Sequence, residues 1–380
     1  MKAGRSLNVA FLTSARVWRG SGVSLSHIAH GLADRGHQPY LFAGDDVVVA
    51  GFLQRGLPAK QVPTSNTSLR GALILSRELR ALQADCLVVD RPRDLRLGAL
   101  ASLGHSLAIV NRYNLSRPNP PRDLLSRLAY LRVQLTIFVS RTSAQRALAG
   151  APYIERCPYR IIHEGVGEEF HPDSSAADAF RAEWGLGTRE FILAVGSLTA
   201  EKRYDFLLQV LKRLGPTAPL LLVCGGGPLK EKLEAQANQL GVEARLLGMV
   251  PPGVLRGAYA AALCLVHACE VETFGLSVLE AMASGCPVIA VKGGAVPEVL
   301  GETGLLNPPY APEPFAASVR ELLASPDRRL ALGRAARQRA IQQFSLTQMQ
   351  REHAEAIESI CSGVGSKIQF QHVQAAPPHP

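Results

Sequence analysis

The chain has 380 residues, too long for one ordinary core and suited to two domains. It is 47% hydrophobic and 19% charged, which excludes a disordered or fibrous chain, and its seven cysteines contain no CxxC pair. The cysteines therefore read as reduced thiols of a cytoplasmic protein, not as a disulfide framework. The net charge of +9 is uneven: residues 1–170 hold 22 Lys+Arg against 12 Asp+Glu, while the remainder is nearly neutral. Such a first half would attract an acidic acceptor, an anionic membrane surface or nucleic acid, although a general preference for arginine gives the same count. No zinc knuckle, aromatic RNA-binding motif or basic repeat supports nucleic acid, and none is expected as a partner. The apolar run before Arg16 is too short for a signal peptide. No uncharged apolar stretch reaches the roughly 18 residues of a membrane span. The expectation is a cytoplasmic protein, soluble or peripheral on the inner face of the membrane.

Asn8–Thr13 reads as a buried strand, Gly20-Ser-Gly22 as a loop, and 24–35 as an amphipathic helix closed by Gly36. Further strands are predicted at Gln38–Ala43, Cys86–Val89, 107–111 and 135–139, with helices over 72–83 and 124–132. A linker at His171-Pro172-Asp173 precedes a second series, with strands at Phe191–Val195, Leu220–Cys224, 244–247, 263–266 and 288–290. Strands alternating with helices imply parallel βαβ units, so the fold class is α/β: two facing Rossmann-like domains with an interdomain cleft. The predicted division is 1–172, 173–344, a terminal helix within 345–362, and a tail, 363–380, rich in Pro and expected to be disordered.

The chemistry concentrates at Glu272-Thr-Phe-Gly-Leu-Ser-Val-Leu-Glu280-Ala-Met-Ala-Ser-Gly285. Thr273 is a suitable N-cap and Gly285 a suitable stop, so a helix is predicted from Phe274 to Ser284. Its first amides, at Gly275 and Leu276, would face the crevice at the strand ends, where a helix N-terminus favours phosphate. Glu280 lies on a mainly apolar helix and needs a hydroxyl or a cation. Two glutamates eight residues apart mean little by spacing alone; the bland alternative is one loop residue and one surface charge.

The residues around the pair change that balance. Phe-Gly-Leu followed by Glu-Ala-Met-Ala-Ser-Gly-x-Pro-Val closely resembles the E-x7-E motif of glycosyltransferase family 4. Upstream, Gly196-Ser197-Leu198, then Glu201-Lys202-Arg203, is similar to that family's G-R-L-x-x-x-K-G element. Ser197 stands where many members carry Arg, and Arg203 where Gly is common. Gly293-Gly294-Ala-Val-Pro297-Glu298 resembles the G-G-x-x-E loop, Gly304-Leu305-Leu306 the closing strand, and Leu247 to Val250 the strand end whose main chain meets the nucleobase. In the first half, Trp18 to Val23 resembles the glycine loop that approaches the donor sugar or acceptor. Arg160 to Gly167 resembles the strand leading to N-G-V/I-D, with Glu164 in place of Asn.

The resemblance implies the GT-B fold, with the acceptor domain first, the donor domain second, and the last helix crossing back to the first. It implies a retaining transferase that takes a nucleotide diphosphate sugar as co-substrate and uses no cofactor. Glu272 would hold a sugar hydroxyl, and Glu280 the ribose. Lys202 and the amides near Thr273, Phe274, Gly275 and Leu276 would face the diphosphate, aided by Gly22, Gly196, Ser197, Arg203 and Val250. With no D-x-D motif in the chain, no metal is expected. The acceptor would be a glycan, a lipid-linked molecule or a small molecule, as in envelope glycan or glycolipid synthesis. Arg91 and Arg93, at a strand's carboxyl end in the basic half, and Arg112, near where relatives place a sugar-contacting His that is absent here, are candidates to meet it; a surface loop is the alternative for residues 91–94. A sugar-nucleotide epimerase and a non-catalytic nucleotide-sugar-binding protein remain as alternatives. Finally, Leu124, Leu125, Leu128 and Leu131 form a stripe beside Arg122, Arg127 and Arg132. It is either a core-facing stripe with arginines lying along it or a membrane-surface helix.

Overall fold

The computed structural model describes residues 5–64, 68–114 and 123–362; Arg122 and the tail 363–380 lie outside them. The chain divides into two compact units, Met1–Gly165 with Leu346–Pro380, and Val166–Ser345. The first division falls at Gly165/Val166 because Val166 bridges Ser345 and donates to the Phe344 carbonyl at 2.9 Å.

The first unit is built on seven strands: β1 (Asn8–Thr13), β2 (Gln38–Ala43), β3 (Ala59–Gln61), β4 (Cys86–Val89), β5 (Ala108–Tyr113), β6 (Val133–Phe138) and β7 (Tyr159–Ile161). They form one parallel sheet in the order β3-β2-β1-β4-β5-β6-β7. Side chains of a strand alternate between faces, so Val9 and Phe11 enter one core with Leu25 and Ile28, while Ala10 and Leu12 enter another with Leu75 and Leu79. Both faces are covered, which is why these strands read as unbroken apolar runs. The helix Leu346–Cys361 packs within this unit on the helix Gly20–Ala33, where Gln350 donates to the His27 carbonyl at 2.9 Å and Glu358 pairs with Arg35.

Three local expectations are corrected. Gly20-Ser-Gly22 is the first turn of the helix Gly20–Ala33, not a loop, and a side chain on Gly22 would press on the Trp18 ring. Residues 92–94 open the helix Pro92–Ala101, with Arg91 at the N-cap position but making no side-chain bond there, so the alternative of a surface loop does not hold; Pro92 suits a first helical position, and buried Asp94 lies in the first turn. The strand expected to end at Asn111 continues through Arg112 to Tyr113.

The second unit carries β8 (Phe191–Val195), β9 (Leu220–Cys224), β10 (Ala244–Gly248), β11 (Cys264–His267), β12 (Val288–Val291) and β13 (Leu305–Asn307). The sheet is parallel in the order β10-β9-β8-β11-β12-β13. The direction of succession reverses between β8 and β11, so the loops leaving these two neighbours diverge and open a crevice at their carboxyl ends. No helix among the described residues is long and apolar enough to cross a membrane.

Candidate functional site

The loops that leave β8 and β11 carry the chemistry. After β8, a short 3-10 turn, Ala200–Lys202, ends at Arg203, held at φ 53°. After β11, residues 268–274 lead to the helix Leu276–Ala283. Lys202 Nζ and Glu272 Oε2 meet at 2.5 Å, and His267 Nε2, at the end of β11, lies 3.4 Å from the same oxygen. Lys202 and Glu272 come from opposite sides of the switch point, 70 residues apart in sequence.

Burial alone would neutralise both partners, and each prevents this in the other. Desolvation acts to raise the Glu272 carboxyl, but Lys202 and then His267 overcome it and hold the group far below the usual range. Burial likewise works against charge on Lys202, and Glu272 more than offsets it, so the ammonium lies above its ordinary pKa. The pair is a charged one, kept ready without a ligand.

Gly275, not Thr273, is the N-cap, and the helix starts at Leu276 rather than Phe274. The reason is Gly275 at φ 100°, a left-handed conformation that turns the chain abruptly before the first helical amide. The amides of Leu276, Ser277 and Val278 precede the first intrahelical bond, which Leu279 makes to the Gly275 carbonyl at 3.0 Å. A Cβ on Gly275 would stand 3.4 Å from Glu272 Cγ. Gly275, Glu272 and Lys202 thus share one corner of the molecule. The Glu272 backbone is held there by the Gly293-Gly294 loop: Ala295 donates to the Glu272 carbonyl at 2.9 Å, and a Cβ on Gly294 would fall 2.3 Å from that oxygen.

Glu280 is partly buried and accepts from the Tyr259 hydroxyl at 2.8 Å. Burial pushes its carboxyl up to about 7, against the opposing effect of Tyr259. Arg203 donates to Glu270 at 3.1 Å and lies 4.7 Å over the Tyr310 ring, so its charge is already engaged. Ser197 brings no charge; its hydroxyl lies 3.3 Å from that of Thr199. Gly196 joins the strand ends, with its amide on the Cys224 carbonyl at 3.0 Å and its own carbonyl accepting from Tyr204 at 2.9 Å. Val250 follows β10 and is partly exposed. Thr273 and Phe274 flank Glu272, the second of them buried.

Sequence reasoning missed His267 and Tyr259. A polar residue closing the apolar run before Glu272 was the available signal for His267; a tyrosine between the predicted strands 244–247 and 263–266 gives none for Tyr259.

In the first unit, Arg112 is not the exposed cation expected to meet an acceptor. It is wholly buried on β5, bonded to Asp90 at 2.8 Å, to Glu164, and to the Ser24 hydroxyl at 2.7 Å. The two departures from family pattern near Asn111 to Tyr113 and at Glu164 are therefore one feature, a buried ion cluster that ties β5, the helix Gly20–Ala33 and the segment after β7. Arg91 is half-buried beside a small cavity it lines with Asn111 and Tyr130, and Arg93 is exposed.

His267, Cys269 and Glu272 place three donor atoms within 4.8 Å of one another, the spacing of a metal site. A cation entering here would have to displace both a thiol proton and an ammonium. Burial pushes the Cys269 thiol up to about 11, and the Lys202 ammonium already occupies the Glu272 oxygen.

Residues 177–339 match the family model described as Glycosyl transferases group 1, and residues 18–170 match that described as Glycosyltransferase Family 4. A sulfoquinovosyl transferase of Arabidopsis thaliana is 31% identical over 62% of this chain and 46% of its own length. A GDP-mannose-dependent phosphatidylinositol monomannoside mannosyltransferase of Mycolicibacterium smegmatis is 32% identical over 54% of this chain and 56% of its own. The chain thus spans about half the length of these two relatives. The crystal structure of Anabaena HepE with UDP and glucose superposes with a TM-score of 0.82 at 20% identity, covering 93% of this chain and all of that one. At that identity the likeness is one of fold.

Proposed function

The chain belongs to the group 1 glycosyltransferases of family 4, with two parallel-sheet Rossmann-like domains in the GT-B class, and on that premise we propose that it transfers a sugar from a nucleotide diphosphate sugar to a hydroxyl acceptor. The carrying observation is the charged Lys202–Glu272 pair against the Gly275 helix end, at the switch point of the second sheet. An entering diphosphate draws the Lys202 ammonium from Glu272, and the first amides of the helix Leu276–Ala283 share its charge. Glu272, released, accepts a hydrogen bond from a sugar hydroxyl and orients the ring. Glu280, beside Tyr259, accepts from the ribose. The acceptor oxygen then attacks the anomeric carbon as the bond to the diphosphate breaks, and its proton passes to the departing phosphate oxygen. Attack on the face that the diphosphate leaves retains configuration.

In this reading no metal takes part, because Lys202 fills the position a cation would occupy. The second unit is the donor domain and the first the acceptor domain. The activity of the Mycolicibacterium smegmatis relative, on a phosphatidylinositol monomannoside, supports a lipid-linked or envelope glycan acceptor met at the inner membrane surface.

The test is product analysis with UDP-, GDP- and ADP-sugars in chelator, with and without acceptor extracts. Free nucleoside diphosphate, lost in Glu272→Ala while that variant remains folded, supports transfer. Isomerised donor would indicate an epimerase, and an unchanged donor that nonetheless binds would indicate a non-catalytic protein; either result refutes the proposal.

A further inference from the structure

The helix Leu124–Tyr130 is packed the opposite way from an ordinary surface helix. Its inward residues are Ser126 and Ala129, 2% and 5% exposed. Its leucines face out: Leu124, Leu125, Leu128 and Leu131 are 69, 58, 50 and 74% exposed. The orientation is pinned, not accidental. Asp123 caps the helix, accepting from the Ser126 amide at 3.0 Å, and Arg96 bonds both the Ser126 hydroxyl at 2.9 Å and Asp123 at 2.7 Å. Arg132 fixes the far end by donating to the Ser102 carbonyl at 3.2 Å, next to Leu103, which is itself 59% exposed. The core-facing alternative for this stripe is thereby excluded.

We propose that this face inserts into the surface of an anionic phospholipid bilayer. Leucines that expose half to three-quarters of their area stand proud of the surface, a shape suited to the soft interface of a bilayer rather than to a groove. The helix has seven residues, about 11 Å of axis, too little to bury the roughly 800 Å² a side of a stable protein interface. Charge supplies the sign of the lipid. Arg127 is exposed on the helix itself, Arg93 is exposed on the neighbouring helix, and Asp123 is the one acid within 123–132, already neutralised by Arg96. The face belongs to the first unit alone and does not depend on the donor reading.

Co-sedimentation of the full chain with vesicles, without nucleotide, tests it. Vesicles of mixed phosphatidylglycerol and phosphatidylcholine should bind the chain at low salt, with binding weakened by added salt and nearly lost on phosphatidylcholine alone. Each leucine that gives up its exposed area to lipid is expected to carry roughly tenfold in partition, so Leu125→Ser/Leu128→Ser should lose about a hundredfold at an unchanged melting temperature. If that variant unfolds, Leu124→Ser/Leu131→Ser at the helix ends should show the same loss. Equal partition of the folded variants, absence of binding to anionic vesicles, or a leucine-dependent dimer in place of vesicle binding would each overturn the proposal. Donor turnover with a soluble acceptor would be untouched by any of these results.

Discussion

Removing Lys202 asks the most of the Lys202–Glu272 pair. In Lys202→Met, the Glu272 carboxylate, 13% exposed, loses the ammonium at 2.5 Å and keeps only His267 at 3.4 Å. Breaking one side of a buried pair costs about 3–5 kcal/mol, and the partial access of water here favours the lower end. At about 2–4 °C per kcal/mol for a unit of this size, the melting temperature should fall by roughly 6–12 °C. Glu272→Gln should lose a similar amount, because it leaves Lys202 unpaired. The double variant Lys202→Met/Glu272→Gln removes both charges and should recover most of the loss, while remaining inactive.

The pH dependence carries its own sign. In the wild type the Glu272 pKa is depressed, so its contribution is present above the ordinary value near 4.5 and lost as pH falls below it. The stability gap between wild type and Lys202→Met should therefore close as the pH is lowered through that range. Urea titrations of the four proteins from acid to neutral pH supply the cycle. A double variant as unstable as the singles, or a gap independent of pH, refutes the assignment of a mutually sustaining pair.

The remaining residues give sharper local expectations. Glu280, pushed up to about 7, contributes stability that is present at acid pH and lost as the pH rises towards 7; Glu280→Gln should thus melt higher relative to wild type at pH 8 than at pH 5, with nucleotide affinity lowered about tenfold for one lost hydrogen bond. Gly294→Ala introduces a Cβ 2.3 Å from the Glu272 carbonyl at φ 54°, so it should destabilise by about 2 kcal/mol and weaken donor binding, read by calorimetry. Arg112→Met leaves Asp90 and Glu164 buried without their cation and should cost about 3–5 kcal/mol in a denaturant titration, whereas donor affinity, which the proposed function assigns to the second unit, should hold. His353 is buried, and burial, then Arg112, lowers its pKa to about 4; its neutral form should make the first unit lose stability as pH falls from about 6.5 towards 4, an effect that His353→Gln removes from the acid-unfolding curve.

What could be read from the residues follows how local each signal is. The strands Asn8–Thr13, Cys86–Val89 and Leu220–Cys224 are unbroken apolar runs because both faces of each sheet are covered, and their bounds were legible. The segment 272–285 was legible for a different reason: a helix stop, a glycine turn and two carboxylates are compressed into one loop and helix. Its start was misplaced because Thr273 has an N-cap's chemistry, whereas Gly275 has the conformation the turn requires. The fate of Arg112 was illegible, since its partners Asp90 and Glu164 are remote in sequence and meet it only in the folded sheet. The leucine stripe was ambiguous for a related reason. Helical periodicity shows that Leu124, Leu128 and Leu131 share a face, and only packing shows that the face is outward.

Transfer as proposed requires a diphosphate site made from an ammonium and a helix end without a divalent cation. Isothermal titration of the matching nucleoside diphosphate in excess chelator reads that site. The wild type should bind undiminished by the chelator, and Lys202→Met should lose about a hundredfold in affinity. Binding that appears only on adding magnesium or manganese, or an unchanged affinity in Lys202→Met, would contradict it.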